Sequence, residues 1–110
     1  LYACADMSPD LIDCSIASGA RGIVIAGDGN GNMNAGTIER AKQAASQGIV
    51  VVRSSRVPTG TVSRNVEIDD DRLQFIVSDE LNPAKARILL MLALLKNRSL
   101  EELQQLYYSY

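Results

Sequence analysis

The chain has 110 residues, of which 46% are hydrophobic and 22% charged, a composition typical of one compact globular domain and not of a disordered segment. A net charge of −2 argues against a nucleic-acid partner, and no apolar run is long enough to span a membrane. The chain contains no histidine and no CxxC pair, so we expect no metal site.

The first segments alternate between strand-like and helix-like patterns. Residues 1–5 are predicted to be the end of a buried strand whose start lies before the first residue, and no leader sequence is visible. Ser8-Pro9 favours the start of a helix, which Gly19 would end. Residues 22–26 (GIVIA) form an apolar, β-branched run typical of a strand that is covered on both faces.

The middle of the chain continues this alternation. A glycine-rich loop, 27–34, precedes a helix predicted over 37–47, and residues 49–52 form a third buried strand. The polar stretch 53–72 then exceeds the roughly 12–15 residues usual for a structureless loop in a compact domain, so we expect it to be functional or disordered.

The last third of the chain predicts a weaker fourth strand over 73–77 and a helix over 83–96. That helix is apolar on nearly every side, so we expect it to be covered all round. Ser99 and Glu102 form a capping box for a final helix. The alternation predicts an α/β fold, a small three-layer domain with about four parallel strands flanked by about four helices and no second domain boundary.

The two cysteines lie at the end of the first predicted strand, Cys4, and inside the first predicted helix, Cys14. Their spacing does not establish a disulfide. We expect both to be small, buried hydrophobic side chains.

The glycine-rich loop Gly27-Asp28-Gly29-Asn30-Gly31-Asn32 follows a strand, at the edge of a parallel sheet where ligands usually bind. A dinucleotide fingerprint would need glycine where Asn32 stands, and Asp28 would repel a phosphate. A second interpretation is that the glycines only permit tight turns. A third is that Asn30 or Asn32 grips a small polar ligand such as an amino acid.

Charged side chains follow the third strand. Arg53 and Arg56 can bind a carboxylate in two-pronged fashion, but pairing with nearby acidic residues is the favoured interpretation. Residues 67–71 (EIDDD) are typical of a solvated face and lack the spacing of a calcium loop, although Glu67 could hold an ammonium group. No serine or threonine comes with a recognisable base, so the residues alone indicate no nucleophile.

Three segments, in order, carry a resemblance to a known family: GIVIAGDGNGN (22–32), VVVRSSRVPTG (50–60) and LNPAKARILLMLAL (81–94). Together with the terminal LQQLYYSY, they resemble the C-terminal domain of bacterial type II L-asparaginases. The resemblance covers essentially the whole chain, and three successive matches are far more specific than one glycine-rich loop.

The resemblance implies hydrolysis of L-asparagine to L-aspartate and ammonia, often with some activity on L-glutamine, and no metal or cofactor. Family members use two threonines, an aspartate and a lysine of a larger N-terminal catalytic domain, which this chain lacks. None of Thr37, Thr59 or Thr61 matches those motifs, so no catalytic residue is expected here. The family also implies an intimate homodimer within a homotetramer, and a periplasmic or secreted location.

Two residues of the family pattern fall on this chain, Asn32 and Glu67. The resemblance implies that both reach into the active site of the neighbouring subunit, where the glutamate holds the substrate's α-ammonium and the asparagine supports the substrate by hydrogen bonds. Asp28, Arg64 and Asn65 depart from the family pattern and put the amide selectivity in doubt.

Two other functions compete with this interpretation. One is a non-enzymatic domain of the same fold that binds an amino acid or only dimerises. The other is a nucleotide-binding module that uses the glycine-rich loop. Loss of a partner domain would also leave apolar surface exposed.

Overall fold

A computed structural model describes residues 1–4, 6–57 and 60–110. These residues contain five helices and a three-stranded sheet, and the predicted α/β class is confirmed. In chain order the elements are α1 Asp10–Ala17, β1 Gly22–Gly27, α2 Ala35–Ser46, β2 Val50–Ser55, α3 Asp70–Leu73, β3 Ile76–Val77, α4 Pro83–Ala93 and α5 Leu100–Ser109.

The sheet has the order β1-β2-β3, and both pairs of strands are parallel. Gly22 to Gly27 of β1 pair in register with Val50 to Ser55 of β2. Because β2 also pairs with β3, it lies at the centre of the sheet. Because parallel strands end on the same side, the segments that follow β1 and β2 leave the sheet at one common edge, its carboxyl edge.

Side chains alternate along the strands and fill a core on each face of the sheet. Ile23, Ile25 and Val51 belong to one core, together with Ile12 of α1 and Ala41 and Ala44 of α2. Val50, Val52 and Ile76 belong to the other, together with Ala86 and Leu90 of α4 and Leu103 and Tyr107 of α5. Two helical layers therefore cover the sheet, as the predicted three-layer arrangement requires.

The strand count is three instead of about four, because the first predicted strand is reduced to a bridge, and the last predicted strand is also shorter than expected. The described part of the predicted strand 1–5 forms only a parallel bridge, in which the Ala3 N–H donates to the Ala26 carbonyl at 2.8 Å. The predicted strand 73–77 shrinks to β3, because Leu73 ends α3 and Gln74 has a left-handed φ of 63°. Ala5 lies outside the described residues.

Side-chain caps fix where three helices begin. The Ser99 and Glu102 capping box is confirmed, and the Asn82 side chain accepts from the Lys85 N–H at 2.9 Å at the start of α4. The helix predicted over 37–47 begins earlier, at Ala35, because Asn34 accepts from the Thr37 N–H at 2.8 Å.

The expectation that the apolar helix α4 is covered all round is wrong for this chain. Ala86, Leu90 and Ala93 are buried, but Ile88, Met91, Leu92 and Leu95 are 57%, 56%, 60% and 80% exposed. These four residues, spaced i, i+3, i+4 and i+7, form one outer stripe along α4 and the turn after it. The helix itself ends at Ala93, three residues before the predicted end.

Both cysteines also differ from expectation. Cys4 and Cys14 are exposed and carry free thiols. Cys14 lies on α1 two residues after Ile12, which is fully buried, so the helical period turns the thiol away from the core.

Gln104 of α5 completes the edge of the sheet beside β3. Its side-chain amide donates to the Val77 carbonyl at 3.0 Å and accepts from the Val77 N–H at 2.9 Å. The same amide oxygen also accepts from Arg64 Nη1 at 2.9 Å. A buried side chain thus satisfies the outer backbone groups of β3 at this edge of the sheet.

Replacing Gln104 with alanine should therefore destabilise the protein, because it leaves both polar groups of the Val77 backbone buried without a partner. We expect Gln104→Ala to lower the free energy of unfolding by about 2–4 kcal/mol in urea unfolding. The adjacent exposed Gln105 is the matched control, and Gln105→Ala should change it by less than about 0.5 kcal/mol. Equal losses for the two variants would contradict this account of the sheet edge.

Candidate functional site

The two predicted site residues meet at the carboxyl edge of the sheet. Asn32 Nδ2 donates a hydrogen bond to Glu67 Oε2, although 35 positions separate the two residues. Asn32 is half-buried and Glu67 is exposed. A carboxamide and a carboxylate are thus presented side by side on the surface.

The glycine-rich loop is a tight hairpin. Asp28 and Asn32 exchange both backbone hydrogen bonds, at 2.8 and 2.7 Å, and leave Gly29, Asn30 and Gly31 at the tip. Gly31 has a φ of 82°, and a Cβ on Gly27 would lie 2.3 Å from the Asn32 carbonyl oxygen. The glycines therefore meet the steric demands of the hairpin.

This geometry argues against the dinucleotide interpretation. The amides of Asp28 and Asn32 are already bonded to each other, so they do not form a cradle for phosphate. The Asp28 carboxylate lies at the start of the loop and pairs with the Arg56 guanidinium.

Arg53, near the end of the central strand, joins the hairpin to the segment that carries Glu67. Its Nε and Nη2 donate to the two oxygens of Asp70 at 2.7 and 2.8 Å, and both side chains are fully buried. Nη1 donates to the Asn30 carbonyl at 2.6 Å, and Nη2 also donates to the Ser63 carbonyl at 3.1 Å. Both arginines after the third predicted strand thus pair with acidic residues of the chain, as the favoured interpretation held.

The segment 60–70 is ordered by these contacts. Asp70 Oδ2 also accepts from the Asn65 N–H at 2.8 Å, and the Ile68 side chain is buried. Asn65 and Glu67 have left-handed φ angles of 59° and 66°, which turn the chain sharply so that Glu67 projects towards Asn32. Pro58 and Thr59 lie outside the described residues.

Arg64 and Asn65, two of the departures from the family pattern, have structural partners. Arg64 donates to Asp71 Oδ1 at 2.9 Å and to the Phe75 carbonyl at 2.5 Å. Asn65 Nδ2 donates to Asp71 Oδ2 at 2.8 Å. The hydrogen bond from Asn65, followed by that from Arg64, lowers the pKa of the Asp71 carboxyl below its usual value of 3.8.

Sequence reasoning did not assign the partners that hold the site together, namely Asp70, Ser63 and the Asn30 side chain. The signal was an arginine in an otherwise apolar strand, VVVRSS. A guanidinium buried there needs a carboxylate, and the acidic run 67–71 offers several. Nothing in their spacing selects Asp70 from its neighbours.

Within the described ranges, His, Cys, Asp and Glu side chains form no group of three or more that could hold a metal ion. Across the same residues, none of the helices has the length and apolar character needed to cross a bilayer.

The fold and the site together define a three-layer α/β domain that presents a paired carboxylate and carboxamide at the carboxyl edge of its sheet. Residues 1–107 match the family model described as the Glutaminase/Asparaginase C-terminal domain. The chain belongs to this family.

Curated relatives agree with the family match. The chain is 44% identical over 97% of its length to the "Probable L-asparaginase periplasmic" of Haemophilus influenzae, and 44% identical over 86% to "L-asparaginase 2" of Escherichia coli. It is 40% identical over its full length to the "Glutaminase-asparaginase" of Acinetobacter glutaminasificans. These matches cover 31%, 27% and 34% of the relatives, so the chain spans about a third of their length.

The two hairpin glycines allow a matched test of the link to Arg53. A Cβ on Gly31 would lie 2.8 Å from Arg53 Nη1 and 3.1 Å from the Ser54 carbonyl oxygen, whereas a Cβ on Gly29 would meet no atom within 4 Å. Both glycines have positive φ, 49° for Gly29 and 82° for Gly31, so both substitutions also carry backbone strain. We expect Gly31→Ala to lower the free energy of unfolding by about 2 kcal/mol more than Gly29→Ala does, as measured by urea unfolding. Equal losses for the two variants would contradict the close approach of Gly31 to Arg53.

The ionisation of Asp71 gives a second prediction. Its pKa is depressed in the folded state, so its contribution to stability is present above about pH 3.8 and is lost as pH falls through the folded-state pKa. In an NMR titration, Asn65→Gly should raise the pKa of Asp71 towards 3.8 while still permitting the left-handed φ. Asn97→Ala, at an exposed residue that makes no described hydrogen bond to Asp71, should leave the pKa unchanged. No rise in Asn65→Gly would exclude the Asn65 hydrogen bond as the cause.

Proposed function

We propose that this chain is the C-terminal domain of an amidohydrolase that converts L-asparagine to L-aspartate and ammonia, with L-glutamine as an alternative substrate. The hydrogen-bonded pair of Asn32 and Glu67 at the carboxyl edge of the sheet is the observation that carries the proposal. The names of the relatives, which include L-asparaginases and a glutaminase-asparaginase, support the choice of substrate.

The chemistry of the pair suits the α-ammonium of an amino acid. Glu67 Oε2 accepts from Asn32, which orients the carboxylate and leaves Oε1 to accept from the ammonium. A charge-assisted contact of this kind is about twice as strong as a hydrogen bond between neutral groups. Because Glu67 is exposed, its carboxylate faces out of the domain, towards a site that another part of the protein would complete.

The bond-breaking chemistry is assigned to residues outside this chain. Thr37 is fully buried at the start of α2, so its hydroxyl is not available to a substrate. Thr61 is exposed but matches no catalytic motif of the family, and Thr59 lies outside the described residues. We assign the acyl-enzyme step, in which ammonia leaves and water then releases L-aspartate, to threonines of an N-terminal catalytic domain.

The same proposal includes assembly and location. The outer stripe of α4, formed by Ile88, Met91, Leu92 and Leu95, is apolar surface of a kind that a larger protein usually covers. A homodimer or homotetramer would bring Asn32 and Glu67 to the catalytic residues of a neighbouring subunit. One relative's name includes the word periplasmic, which supports a periplasmic location for the whole protein.

The test is made on the full-length protein by measuring ammonia release from L-asparagine. We expect Glu67→Gln to lower kcat/KM by roughly 10- to 100-fold, because the substitution replaces a charged hydrogen bond worth about 1.5–3 kcal/mol by a neutral one. The control is Glu39→Gln on α2, an exposed residue whose ion pair with Lys42 is 4.0 Å long.

Glu39→Gln should keep kcat/KM within twofold of the unsubstituted protein, because Glu39 lies on α2, outside the site. Its exposed ion pair also contributes about 1 kcal/mol at most to stability. An unchanged kcat/KM in Glu67→Gln would remove Glu67 from the substrate site. A full-length protein that binds L-asparagine without releasing ammonia would instead support the non-enzymatic domain.

A further inference from the structure

We infer that Asn30 is a positioning residue, whose side chain sets the place of Glu67 relative to Asn32; the inference rests on the function proposed above. The Ser63 N–H donates to Asn30 Oδ1 at 2.8 Å. This hydrogen bond joins the tip of the glycine-rich hairpin to the segment that carries Glu67.

The peptide groups of Ser63 are held from two sides. Asn30 accepts from the N–H, and Arg53 Nη2 donates to the carbonyl at 3.1 Å. Arg53 Nη1 also donates to the Asn30 carbonyl at 2.6 Å. Arg53, Asn30 and Ser63 therefore form a closed triangle of contacts, which locks one end of the segment onto the hairpin.

The other end of the segment is held by Asp70, whose carboxylate binds Arg53 and the Asn65 N–H. Glu67 thus lies between two fixed points, four residues after Ser63 and three before Asp70. Asn32, its hydrogen-bond partner, belongs to the same hairpin as Asn30. Loss of the Asn30 contact would release one fixed point and let the carboxylate of Glu67 move relative to Asn32.

Asn30 is the member of this network that can be changed without leaving a buried charge unpaired. Arg53 and Asp70 are fully buried, and removal of either would destabilise the whole domain. Among the described residues, the Asn30 side chain is hydrogen-bonded to the Ser63 backbone and not to Glu67, so its effect is on position and not on direct contact with substrate. Asn30→Asp keeps an acceptor oxygen in the same place and serves as the conservative variant.

The experiment uses the full-length protein and L-asparagine. We expect Asn30→Ala to raise KM about five- to tenfold, in line with the loss of one hydrogen bond of roughly 1 kcal/mol, with kcat within about twofold. Asn30→Asp should restore KM to within about twofold of the unsubstituted protein. Thermal unfolding of each variant within a few degrees of the unsubstituted protein establishes that the domain is folded.

The double variant separates positioning from a general structural role. In a Glu67→Gln background, Asn30→Ala should raise KM by less than about twofold, because the carboxylate that it positions is already absent. Equal rises in both backgrounds, or no rise in Asn30→Ala alone, would overturn the inference. If Glu67→Gln itself has normal kinetics, the proposed function fails, whereas a defective Glu67→Gln beside a normal Asn30→Ala rejects only the role of Asn30.

Discussion

The buried ion pair between Arg53 and Asp70 is the interaction on which the whole carboxyl edge depends. A fully buried guanidinium without a partner would cost several kcal/mol, so the arginine in the central strand requires a carboxylate at this point. The two-pronged contact with Asp70 uses Nε and Nη2, and Nη1 remains for the Asn30 carbonyl. One side chain therefore fixes both the glycine-rich hairpin and the segment that follows β2.

This arrangement separates the parts that hold the site from the parts that face solvent. Arg53, Asp70 and Ile68 are buried, while Glu67 stands exposed between them with a left-handed backbone. Such a conformation is costly for a residue with a side chain, and it persists where neighbouring contacts determine the path of the chain. The fixed neighbours restrict the freedom of the Glu67 backbone, so less entropy would be lost in the ligand binding proposed for its carboxylate.

The sequence predicted the parts of the fold that have local signals. GIVIA became β1, and the caps at Asn82 and Ser99 mark where α4 and α5 begin. The meeting of Asn32 with Glu67 was anticipated only through the family resemblance, since no spacing rule joins residues so far apart. The turn of helix at 70–73 and the exposed stripe of α4 were missed. An acidic run has no helical period, and a helix that is apolar on every side does not reveal which side faces the sheet.

Under the proposed function, the exposed stripe and the polar pair would do different work for a larger protein. Ala86 and Leu90 of α4 pack in one of the two cores of the domain. Met91 of the same helix and Leu95 of the turn after it remain exposed. Contact through an apolar stripe needs little directional precision, because the hydrophobic effect depends on area. Recognition of an ammonium group does need precision, since hydrogen bonds weaken steeply with angle. Under the proposed function that need is met at the carboxyl edge, where the hydrogen bonds of Arg53 and Asp70, and not the packing of α4, hold the segment that carries Glu67.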